Sequence, residues 1–109
     1  MNYHFDLSTV MQLIHLVKKQ VCDIGKLDWP NPEGAVILPF FRKDPPNEGN
    51  YQLVIKQVTD VSISPNEIKE KAVFQNVEYQ SVGNQLIITL DTGTVIFSVR
   101  DVKISAIGQ

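Results

Sequence analysis

Apolar residues recur at helical spacing from Leu7 to Ile24. Leu7, Val10, Met11, Ile14, Val17 and Val21 form one stripe, and Gln12, His15, Lys19 and Asp23 lie opposite it. The pattern predicts an amphipathic helix. Asp6 or Ser8 would cap its start by accepting an exposed backbone N–H. Gly25 would end it, since a left-handed residue after the last turn is easiest for glycine.

Beyond Gly34 the pattern changes to strands. "AVILPFF" (35–41) is a continuous apolar run in which Pro39 points to a sheet edge or strand end. "RKDPPNEGN" (42–50) is a polar loop, and "YQLVIKQVTDVSI" (51–63) reads as one long strand rich in β-branched residues. Ser64, Pro65 and Glu67 have the order of a capped helix start, so a short helical turn is expected near 65–71. "AVFQNVEYQSV" (72–82), "QLIITL" (85–90) and "TVIFSVRDVKISAI" (94–107) are strand-like. A type II′ hairpin turn is expected at Gly83-Asn84 and a second turn at Asp91-Thr92-Gly93. The inward phase shifts between Val99 and Val102, which suggests a bulge near Arg100-Asp101. The expected fold is a single α+β domain, 1–109. Its N-terminal helix would pack on an antiparallel sheet of about five strands, as a sandwich or half-open barrel.

Composition narrows the function more than the fold. A chain of 109 residues can bury about 65% of its unfolded surface, enough for a core without metal or disulfide. The single cysteine, Cys22, allows no internal disulfide. The N-terminus lacks a basic start followed by a compact apolar run, and no window is long enough to cross a bilayer as a helix. The expectation is a cytoplasmic protein. A net charge of −2 and only isolated basic pairs, Lys18-Lys19 and Arg42-Lys43, argue against binding nucleic acid through a broad basic face.

Candidate chemistry is sparse. Asp91-Thr92-Gly93 resembles the aspartic-protease signature in three residues, but too little chain follows for the substrate-binding strands of that family. A hairpin turn accounts for the same residues. His15 and Cys22 would lie about 10 Å apart along a helix, too far for a thiol–imidazole pair. Glu67 and Glu70 suit a capped, solvated turn, and no phosphate loop, nucleophile elbow or metal-ligand spacing stands out. No enzyme activity, cofactor or metal is expected.

What remains is surface. Trp29, in "LDWPNPEG", is either an interface anchor or a plug over the end of the helix stripe. The terminal half, "FQNVEYQSVGNQLIITLDTGTVIFSVRDVKI", resembles small β-rich immunity proteins of bacterial toxin systems. That resemblance implies a protein that binds and neutralises one cognate toxin. An acidic inhibitor would steer a basic partner with carboxylates. The candidate partner-binding residues are Asp28, Trp29, Glu33, Phe41, Asp44 and Glu48. Two other roles fit the sequence: a self-associating interaction module, and a carrier of a small apolar ligand between helix and sheet.

Overall fold

The computed structural model describes residues 2–27, 34–64 and 70–109. Among these, the fold is mostly β, with nine strands and one helix of five residues. The strands are β1 (Asn2–Phe5), β2 (Val21–Asp23), β3 (Val36–Arg42), β4 (Gly49–Ile55), β5 (Val58–Ser64), β6 (Lys71–Gln80), β7 (Gln85–Leu90), β8 (Gly93–Val99) and β9 (Ile104–Gly108). The helix α1 spans Leu13–Val17 and follows a 3-10 turn at Val10–Gln12. All pairings are antiparallel, in the order β1-β9-β4-β3-β2-β6-β7-β8-β5. This replaces the expected α+β architecture of about five strands.

The long helix expected over 7–24 is the main correction. Lys19 takes a left-handed φ of 65°, and the chain behind it turns into the sheet. The backbone N–H of Lys19 donates to Phe74 O at 2.8 Å, and that of Phe74 donates to Gln20 O at 2.9 Å. Val21, Cys22 and Asp23 then lie between β3 and β6. Three residues that could have continued a helix instead complete two ladders, a non-local gain that helical propensity cannot match. The buried helical positions are Val10, Leu13, Leu16 and Val17, whereas Leu7 and Met11 are 60% and 53% exposed. Asp6 does accept backbone N–H groups, from Ser8 at 2.9 Å and Thr9 at 3.2 Å, and so closes the turn before the 3-10 segment. Gly25 is not a left-handed helix end. A Cβ there would approach Glu70 Cα to 3.3 Å, a tight contact that favours glycine.

The strand expected over 51–63 is two strands. Gln57, at φ 57°, makes a corner between β4 and β5, which lie far apart in the strand order. The β8–β9 connection runs beside this corner: Lys56 N–H donates to Lys103 O at 2.9 Å and Arg100 N–H to Gln57 O at 3.0 Å. The expected bulge at Arg100-Asp101 is therefore a break between two strands. Bulges occur instead between Val58 and Asp60 and between Phe74 and Asn76. The second bends β6, whose first part pairs with β2 and whose second part pairs with β7. Both parts of the sheet feed one core, in which Phe40 meets Phe74 edge-on at 5.8 Å and stacks on Tyr51 at 5.2 Å.

Two turns contrast. Asp91-Thr92 closes the β7–β8 hairpin, with Leu90 paired to Gly93, where a turn was expected. The β6–β7 loop holds four residues, 81–84, with positive φ at both Gly83 and Asn84, and is not the expected type II′ turn. The helical turn expected near 65–71 falls largely on 65–69, outside the described residues, and Lys71 already belongs to β6.

Candidate functional site

Phe41, Asp44 and Glu48 come together at one end of the sheet. Asp28, Trp29 and Glu33 lie outside the described residues. Arg42 and Gly49 are register partners, so Lys43 to Glu48 form the six-residue loop of the β3–β4 hairpin. Strand alternation turns Phe40 into the core and leaves Phe41 on the outer face, 47% exposed.

The loop is tied down from several sides. Gln20 is only 1% exposed, and both ends of its amide serve the loop. Its Oε1 accepts from Lys43 N–H at 2.8 Å, and its Nε2 donates to Asp44 Oδ2 at 2.6 Å. Asn47 Nδ2 donates to the Tyr3 hydroxyl, and the Tyr51 hydroxyl donates to Asn47 O at 2.7 Å. Burial raises the Tyr51 phenol above its ordinary pKa, Tyr3 adds to that, and Arg42 opposes it. Arg42 turns away from the loop, donating through Nη1 to Leu16 O at 2.6 Å near the end of α1. Asp44 and Glu48 are both exposed residues, with one Asp44 oxygen held by Gln20, on a loop whose backbone is tied by hydrogen bonds at Lys43 and Asn47.

Beside Phe41, the outer face of the sheet holds a concavity of about 400 Å³, lined in part by Val21, Asp23, Pro39, Gln52 and Lys71. Asp23, partly buried, and exposed Lys26 form an ion pair at 3.7 Å, of little energetic weight.

No protein-family model, curated protein or solved structure matches this chain.

The other groups of interest have structural explanations. Asp91 Oδ1 accepts from Val73 N–H at 2.9 Å, which pins the β7–β8 turn to β6. His4 Nδ1 lies 3.0 Å from Ser105 Oγ across β1 and β9, a hydroxyl–imidazole pair that sequence reasoning missed because its members are 101 positions apart. No described carboxylate hydrogen-bonds the other nitrogen of His4, so the group that orients a catalytic imidazole is not seen among the described residues. No cluster of metal-ligating side chains occurs among the described residues, and no described helix is long and apolar enough to cross a membrane.

Cys22 is fully buried in β2, and burial pushes its thiol from 9.0 up to about 12. A thiol-specific disulfide reagent at pH 8 is expected to leave the native protein unlabelled and to react fully in denaturant. Because the folded thiol keeps a proton that the unfolded one loses, stability should fall as pH rises from 9.0 toward about 12. Labelling of the native protein as fast as a free thiol would contradict this placement.

Proposed function

We propose that this chain is a non-enzymatic binding protein that receives a protein partner on Phe41 and the 43–48 loop. The observation that carries the proposal is the Gln20 clamp. A buried amide holds a solvent-exposed loop by its Lys43 N–H and one Asp44 oxygen, and both Asp44 and Glu48 remain exposed residues. Ordering a loop before it binds removes an entropic cost that association would otherwise bear. With Arg42 drawn onto α1, the two carboxylates outweigh Lys43, so the surface suits a basic partner. Phe41 supplies an apolar contact beside the charges, the usual composition of an interface centre and rim. The resemblance to immunity proteins favours a toxin as that partner.

The test separates charge from fold. Asp44→Asn keeps an oxygen for Gln20 to donate to, and Glu48→Gln changes an exposed side chain, so both variants should fold normally. Tagged wild-type protein would first be used to capture the partner. Association of the pair would then be timed by stopped flow over a range of salt concentrations. Each neutralising substitution is expected to slow association about threefold to tenfold at low salt and to flatten its salt dependence. Rates equal to wild type in both variants would remove the loop from the interface.

A further inference from the structure

Arg42 poses a problem that the proposed interface does not solve. Its Nε is sealed from solvent with no hydrogen-bond partner, and no described carboxylate lies within 4.0 Å of the guanidinium. Only Nη1 is engaged, with Leu16 O. A partly buried cation ordinarily has a counter-charge, because desolvation is costly unless it is paired. The guanidinium instead borders a recess of about 290 Å³ between α1, the 3-10 turn and β1. The other lining residues are Tyr3, Phe5, Gln12, His15 and Leu16. Each suits a ligand: two aromatic rings offer flat apolar contact, and an amide and an imidazole offer polar contact near the cation.

We infer that this recess binds a small ligand carrying a monocarboxylate on a flat apolar body, with Arg42 pairing to the carboxylate. A guanidinium has five N–H donors. With one on Leu16 O and the Nε–H sealed, the three donors left on Nη1 and Nη2 have no partner among the described residues and can meet a carboxylate through charge-assisted hydrogen bonds. The recess is at the small end of ligand sites, which limits the body to about one ring. This site is independent of the proposed protein interface, and either can fail without the other.

Benzoate is the probe, with benzamide as its neutral counterpart and phenyl phosphate as a second oxyanion. The 15N-labelled full chain would be titrated with each into the millimolar range, following the Arg42 Nε–H and His15 ring signals by NMR. Benzoate is expected to shift both signals saturably and to bind at least tenfold more tightly than benzamide. Gln12→Glu places a carboxylate among the lining residues as an internal competitor. It should weaken benzoate at least tenfold and raise the melting temperature, since the cation gains a partner. Arg42→Lys should also lose benzoate binding, and because it disturbs the end of α1 it is read only alongside Gln12→Glu. No shift at either signal would overturn the inference, as would equal shifts with benzamide. Phenyl phosphate binding more tightly than benzoate would overturn the choice of a monocarboxylate.

Discussion

Phe74→Ala should remove about 3–5 kcal/mol of stability. Phe74 is fully buried and meets Phe40 edge-on at 5.8 Å, where β6 turns from β2 toward β7. Truncation loses the transfer energy of the ring and leaves a cavity that surrounding strands cannot fill by sliding, because their registers are fixed on both sides. A domain of this size has only about 5–15 kcal/mol in total, so the variant should lose a large share of its stability. In urea, the midpoint should fall sharply with little change in slope. Phe41→Ala is the internal comparison. It lies on β3, on the outer face and 47% exposed, and should cost less than about 1 kcal/mol. A Phe74→Ala loss no larger than that of Phe41→Ala would mean that the core is not centred on this strand.

The second large effect lies at Gln20. Gln20→Ala leaves the Lys43 N–H and an Asp44 oxygen without their partner and opens a gap beneath the loop, for a loss of about 1–3 kcal/mol. Exchange of the Lys43 amide with solvent should quicken more than global stability explains, showing that the loop opens locally. Gln20→Glu is the more discriminating variant. One oxygen can still accept from Lys43, but the other faces the Asp44 carboxylate. Two carboxylates in contact disfavour both being ionised, so one folded-state pKa rises above its unfolded value. The native state then holds a proton that the unfolded state has released at neutral pH. The variant should therefore be least stable near neutrality and recover as pH falls through the carboxylate range. Melting temperatures taken across that range would show it, and a flat profile would place Asp44 away from Gln20. If the 43–48 loop is the interface, Gln20→Ala should also slow partner association although its own side chain is buried.

Clear local patterns in the sequence correspond to clear elements. "QLIITL" alternates without interruption and coincides with β7, Gln85–Leu90. The apolar run at 35–41 and the strand-like run at 72–82 each lie within two residues of β3 and β6. Where the pattern was compatible with two structures, distant pairing chose between them. A stripe at helical spacing through Val17 and Val21 was no guide to a chain that turns at Lys19 to place Val21 and Cys22 between two strands. β1 left no signal because four residues carry little periodicity, and the strand it pairs with, β9, begins about 100 residues later. The candidate site divides in the same way. That 42–50 is a polar loop bearing Asp44 and Glu48, with Phe41 beside it, was legible from composition. That Gln20 clamps this loop was not, nor was the withdrawal of Arg42 onto Leu16, because both contacts join residues more than twenty positions apart.

The sequence by itself determined a chain rich in strands with a tight Asp91-Thr92 hairpin, because alternation and turn chemistry act between near neighbours. Only the tertiary structure decided that the helix is short, that nine strands among the described residues join one sheet, and that Gln20 holds the loop. Each of those depends on which distant backbone groups find partners, and a buried N–H or carbonyl is satisfied by whichever segment the whole fold brings to it.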